Sequence, residues 1–85
     1  MSYYVYILQS QTDLKYYIGS TADIAARVDY HNAGKQRSTK SRIPFILIYS
    51  EELDSKEEAL FREKQIKSYK GGQAFKKLIE TIDLP

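Results

Sequence analysis

Residues Tyr3, Tyr4, Val5, Tyr6, Ile7 and Leu8 run without a single charged side chain. In a strand, Tyr4, Tyr6 and Leu8 share one face while Tyr3, Val5 and Ile7 share the other. Both faces are largely apolar, so the segment must sit inside a sheet that is covered on each side. Residues 9–15 are polar and include Asp13, a turn former, and residues 16–20 make a second short strand. The resulting hairpin holds five of the eight tyrosines in the chain. Tyrosine suits strands for packing alone, so the hairpin by itself assigns no chemistry. Gly19 falls on the same face as Tyr17, and glycine inside a strand marks a bulge or a close approach by backbone or ligand.

The remaining elements follow from caps and periodicity. A helix starts after Ser20 or Thr21, with Ser20 and Asp23 resembling a capping box, and ends at Gly34. Its Ile24, Arg27, Val28 and His31 fall on one side. A face built partly of arginine and histidine belongs at the edge of a cleft rather than in a core. After a basic loop over residues 35–43, Pro44 opens a third strand, and the apolar run from Phe45 to Tyr49 reads as buried on both faces. Ser55 and Glu58 form a capping box for a second helix that ends near Tyr69, with Ala59, Leu60 and Ile66 as its apolar side. Gly71 and Gly72 break the chain before a last helix that carries Phe75, Leu78, Ile79 and Ile82 at helical spacing. The order is β-β-α-β-α-α, expected as one α+β domain over residues 1–85.

Composition removes several chemistries. With no cysteine, disulfides, thiolate catalysis and zinc–thiolate sites are out of reach, and a cytoplasmic location is the default expectation. No apolar run is long enough to span a bilayer, so no membrane association is expected. His31 is the one histidine, so a metal would rest mainly on carboxylate and water oxygens, which suits Mg²⁺ or Mn²⁺. Net charge is only +2, but it is unevenly spread. Lys35, Arg37, Lys40 and Arg42 form one basic cluster, and Lys64, Lys67 and Lys70 belong to a second; residues 51–58 between them hold five acids and one lysine. Such lobes either solvate the surface or grip a polyanion.

Three features fit packing poorly. Glu63 sits in the middle of an apolar helix side, where an unpaired carboxylate is costly. An ion pair with Arg27 or Arg62 would explain it, and so would a divalent cation. Arg27 and His31, one turn apart, can both face one phosphate; alternatively, His31 is a surface residue favoured by the helix dipole. Tyr6 and Tyr17 face each other across the hairpin, and a phenol becomes a useful base only if adjacent positive charge lowers its pKa. Arg27 and a metal at Glu63 would supply that charge.

The order Tyr4-Val5-Tyr6, Tyr17-Ile18-Gly19, Arg27, His31, Glu63 resembles the GIY-YIG endonuclease family. Tyr4 and Val5 depart from the first family triplet, and the second is intact. The stretches HNAGK, RSTKSRIPFILIYSEEL and ALFREKQIK resemble the small single-domain branch related to the nuclease end of the bacterial excinuclease, which points toward DNA repair. The resemblance implies a three-stranded antiparallel sheet flanked by helices, and metal-dependent DNA hydrolysis leaving a 5′-phosphate and a 3′-hydroxyl. It also implies that Glu63 binds one divalent cation, that Arg27 stabilises phosphoryl charge, that Tyr6 or Tyr17 helps deprotonate water, and that His31 lies near the scissile phosphate. Family nucleases often carry a late asparagine; residues 70–85 have none, and Gln73 is not given its role. The basic clusters would contact DNA backbone without base specificity, so selection would be for structure, and RNA remains open as a substrate. The competing expectations are a non-catalytic nucleic-acid-binding module, or a nuclease component that needs a protein partner or a second copy of itself.

Overall fold

The computed structural model describes residues 2–80. Strands β1 (Tyr3–Ser10), β2 (Tyr16–Thr21) and β3 (Phe45–Leu53) alternate with helices α1 (Ile24–Asn32), α2 (Lys56–Ser68) and α3 (Gln73–Glu80) in the order β1-β2-α1-β3-α2-α3. The sheet is antiparallel throughout, with β1 between β2 and β3. This is the α+β architecture expected from the sequence. Val5, Tyr6, Ile7 and Leu8 are all buried, as a central strand covered on both sides requires.

Each face of β1 has its own core. Val5 and Ile7 pack with Tyr49, Ala59, Ile66 and Phe75, beneath α2 and α3. Tyr6 and Leu8 pack with Phe45, Tyr17 and Val28, beneath α1. Phe75, Leu78 and Ile79 hold α3 on the first core; Ile82, the next residue of that stripe, lies outside the described residues.

Three local expectations need correction. Asp23, not Ser20 or Thr21, caps α1, accepting from the Ala26 amide at 3.1 Å; Thr21 is still in β2. The run in β3 is only partly covered: Phe45 packs beneath α1 and Tyr49 beneath α2 and α3, whereas Ile46 and Leu47 are exposed. Leu60 is exposed, leaving Ala59 and Ile66 as the buried residues of α2. By contrast, Ser55 caps α2 as expected, and Gly34 follows α1 with a φ of 74°, the left-handed conformation glycine permits.

Candidate active site

The β1–β2 register sets the first part of the site. Tyr6 pairs with Gly19, and Leu8 with Tyr17, so Tyr6, Tyr17 and Gly19 project on one face. The two tyrosine rings stack with centroids 6.4 Å apart. Gly19 is needed for this: a β-carbon there would lie 2.5 Å from the Tyr6 hydroxyl oxygen. The close approach expected at a strand glycine is therefore made by the Tyr6 phenol itself.

Helix α1 brings His31 against both tyrosines. Its ring lies 4.7 Å from that of Tyr17 and 6.3 Å from that of Tyr6, centroid to centroid. His31 is 0% exposed, which overturns the surface-residue reading and removes it from direct reach of a phosphate in solution. Both ring nitrogens are used, Nε2 toward the Tyr6 hydroxyl at 3.3 Å and Nδ1 toward Thr39 Oγ1 at 3.0 Å. The Thr39 hydroxyl also donates to the Gln36 carbonyl at 3.3 Å. Since a carbonyl can only accept, all three bonds form together when His31 Nδ1–H donates to Thr39 and the Tyr6 hydroxyl donates to Nε2. Burial, followed by the charge of Arg27, lowers the His31 pKa and keeps the imidazole neutral, as that arrangement needs.

Charge on Arg27 does not activate Tyr6. Arg27 pulls the Tyr6 pKa down, but burial pushes it up by more, with the neighbouring Tyr17 and the Glu63 carboxylate adding to the rise. Tyr6, 2% exposed, is a phenol that donates to His31. Tyr17 is only half-buried, and its hydroxyl has no hydrogen-bond partner among the described residues. Arg27 is half-buried with its guanidinium 5.4 Å from the Tyr30 ring centroid, and it has no carboxylate partner among the described residues.

Glu63 approaches from the other face of the sheet, where it meets Ser20 of β2. Its place between Ala59 and Ile66 makes it the polar residue on the buried side of α2, as the sequence spacing indicated. Neither expected ion pair forms. Arg62 instead grips Glu51 with two nitrogens, at 2.6 and 3.2 Å, and Tyr49 donates to the same carboxylate at 2.6 Å, tying α2 to β3. Glu63 accepts from the Ser20 hydroxyl at 2.8 Å on one oxygen and from Lys67 Nζ at 2.7 Å on the other. Ser20 and Thr39 are site residues that the sequence alone does not single out. Ser20 follows the Tyr17-Ile18-Gly19 triplet directly, a usable signal; Thr39 lies in the basic loop and carries none.

Glu63 fits a divalent cation of the hard, open kind. Among the described residues no three carboxylate, histidine or cysteine groups converge, so a closed protein cage is not built. One carboxylate with the Ser20 hydroxyl beside it leaves the remaining positions to water and substrate oxygens, a frequent Mg²⁺ arrangement. Of the basic residues, Lys35, Arg37, Lys40, Lys64 and Lys70 are exposed. Arg42 is committed elsewhere, bonding Asp13 at 3.0 Å and the Tyr16 carbonyl at 3.3 Å.

The model of the GIY-YIG catalytic domain matches residues 2–76. The chain belongs to the GIY-YIG family. Among similar proteins, a UPF0213 protein of Staphylococcus haemolyticus is 42% identical over 79 residues, spanning 92% of this chain and 95% of the relative. A UPF0213 protein of Streptococcus pneumoniae is 41% identical over 81 residues, spanning 94% and 81%. The solution NMR structure of the UPF0213 protein BH0048 from Bacillus halodurans is 33% identical, with a TM-score of 0.55 over 98% of this chain and 86% of that one. This GIY-YIG domain thus has small relatives of nearly its own length.

Proposed function

We propose that this GIY-YIG domain is a metal-dependent DNA endonuclease that hydrolyses a phosphodiester to a 5′-phosphate and a 3′-hydroxyl, choosing DNA by structure rather than by sequence. The observation that carries the reading is Glu63, a carboxylate only 17% exposed that is held by Ser20 and close enough to Tyr6 to raise its pKa. Packing gives no reason to place a carboxylate on that side of α2.

Glu63 would hold one Mg²⁺ or Mn²⁺, which supplies Lewis-acid polarisation of the phosphate and stabilises the leaving oxygen. Arg27, with no carboxylate partner among the described residues, binds and neutralises the phosphoryl oxygens as negative charge grows; a preorganised contact of this kind is commonly worth ~3–4 kcal/mol. The Tyr17 hydroxyl, without a partner among the described residues, contacts and orients the attacking water and accepts its proton as the tyrosine's own proton passes to solvent. Tyr6 and His31 hold the Tyr17 ring between them, with Thr39 fixing the imidazole. In this reading His31 is a positioning residue, and Tyr6 is a held donor rather than a base.

The test is cleavage of end-labelled linear, nicked, flapped, branched and single-stranded DNA in Mg²⁺ and in Mn²⁺, beside Glu63→Gln. Metal-dependent cutting that falls at least ~100-fold in the variant, with products that a ligase accepts, supports the reading. Binding without cutting in every condition favours a non-catalytic module or a component awaiting its protein partner. Cutting unchanged in Glu63→Gln removes Glu63 from the site.

A further inference from the structure

A groove that the proposed chemistry does not use opens beside Arg27. Tyr3, Thr21, Ala22, Asp23, Ala26, Arg27 and Tyr30 line a volume of about 520 Å³ between the β1 start and the first turns of α1. A second groove of about 390 Å³ shares Ala26 and Tyr30 with it and continues to Lys35, the first residue of the basic loop. Tyr30 thus stands as a partition along a path from the phosphate-binding Arg27 to a cluster of exposed cations. Tyr30 is 37% exposed, with the Arg27 guanidinium 5.4 Å from its ring centroid.

We propose that this groove receives an unpaired nucleobase adjacent to the scissile phosphate. The inference rests on the nucleic-acid part of the function proposed above. The Tyr30 ring and the Arg27 guanidinium offer planar faces, which suit a base splayed from its stack; a paired base shows a protein only its edges. Asp23 argues against a second phosphate in the groove, because its carboxylate would repel one. One Asp23 oxygen caps α1 through the Ala26 amide, and the other has no hydrogen-bond partner among the described residues. That free oxygen can accept from a base amino group. Ala22 and Ala26, both exposed, leave the space that a larger side chain would fill. Arg27 then serves the phosphate and the base together, and Lys35 the next stretch of backbone. A preference for DNA containing an unpaired nucleotide follows from these contacts.

The experiment uses the full chain in EDTA, so that binding is read without cutting. Duplexes carrying 2-aminopurine in a single-nucleotide bulge, and fully paired controls, are titrated with the wild type, Tyr30→Leu and Ala26→Leu, with circular dichroism confirming each fold. In the wild type, bulge fluorescence is expected to be quenched on binding. Each variant is expected to lose about tenfold in affinity for the bulge, or ~1.4 kcal/mol, and to keep affinity for the paired duplex within about twofold, since stacking is lost and phosphate contacts are not. Ala26→Leu keeps the Tyr30 ring and blocks the space, so it tests the groove even if Tyr30→Leu fails to fold. Equal affinity of the wild type for bulged and paired DNA overturns the inference while leaving the nuclease reading intact. Parallel loss on both substrates, or none, also overturns it. Failure of the wild type to bind either DNA overturns the inference, and the cleavage assay in Mg²⁺ and Mn²⁺ then decides the nuclease reading on its own.

Discussion

Gly19 and Tyr6 occupy one another's space, and that contact gives the opening triplets of the chain a physical meaning. A β-carbon at Gly19 would also lie 2.7 Å from the Tyr6 Cζ, and Tyr6, itself only 2% exposed, has no room to retreat. Gly19→Ala is therefore expected to cost ~1–3 kcal/mol in urea unfolding, typical of overpacking, and to depress cleavage by displacing Tyr17 with Tyr6. Tyr6→Phe keeps the ring but leaves His31 Nε2 without its donor, at a cost of ~1–3 kcal/mol for a buried unsatisfied group. Little change in stability from either substitution would contradict the packing described. His31 adds a pH dependence. Its environment comprises Arg27 as the nearby charge, with Tyr6, Tyr17, Tyr30 and Phe45 rings and the Thr39 hydroxyl around it. Its folded pKa lies below the ordinary value of about 6.5, so the unfolded chain takes up the proton first. Its contribution to stability is complete above about pH 6.5 and is lost as pH falls from there through the folded value. Asp13 and Glu51, whose pKa values are also lowered, lose theirs only in more acid solution, below the ordinary carboxylate range. The urea midpoint is expected to drop as pH falls below about 6.5 in the wild type and to drop less in His31→Gln. An equal drop in both would assign the titration to another group.

Helix α2 carries the sharpest contrast between what spacing reveals and what it hides. Ala59, Glu63 and Ile66 share a face by helical geometry, so a carboxylate out of place is visible in the sequence. Its partners are not, because long-range pairing depends on how α2 lies across the sheet. Arg62 is next to Glu63 in sequence but turns toward Glu51 on β3, and Ser20 reaches Glu63 from β2. Leu60 is misplaced when apolar type is read as apolar position, and β3 because a continuous apolar run does not say which of its positions the helices cover. Lys67 is readable in principle, being one turn beyond Glu63 in the favourable Glu-to-Lys direction. Its place in a basic run points to a phosphate contact instead. In the structure its ammonium, on a side chain 53% exposed, rests on the oxygen of Glu63 that Ser20 does not occupy. A divalent cation at Glu63 would compete with that ammonium. Lys67→Ala is accordingly expected to tighten Mn²⁺ binding several-fold, measured by electron paramagnetic resonance of free Mn²⁺. Its cost in stability is small, ~0.3–0.5 kcal/mol for a helical pair of this kind. Weaker Mn²⁺ binding in Lys67→Ala would mean that Lys67 organises the carboxylate for the metal rather than competing with it.

Across the whole molecule, the layered fold is legible because β1 is apolar on both faces and the caps and glycines punctuate the rest. The two faces of the sheet both contribute to the proposed site: Tyr6, Tyr17, Arg27 and His31 from one, and Glu63, bonded to Ser20 of β2, from the other. Charge layout is legible only in part. Net charge near zero hides the segregation, and sequence clustering alone makes Arg42 equivalent to Lys40. The structure separates them, since Lys40 is exposed whereas Arg42 bonds Asp13 and the Tyr16 carbonyl and lies 5.5 Å from the Phe45 ring centroid. This difference is measurable through salt. Each phosphate contact contributes about 0.9 to the slope of log affinity against log salt for duplex DNA. Replacing Lys35, Arg37 and Lys40 by Gln is expected to lower the slope by about 0.9 for each contact removed. Arg42→Gln is expected to leave it unchanged while lowering the melting temperature, because the ion pair and the carbonyl contact that it loses are internal. Lys64→Gln with Lys70→Gln tests the second lobe in the same way. If the first lobe alone changes the slope, DNA runs from Arg27 past Tyr30 onto the basic loop. If both lobes do, the strand crosses the β2 edge, and Glu63 lies beneath its path.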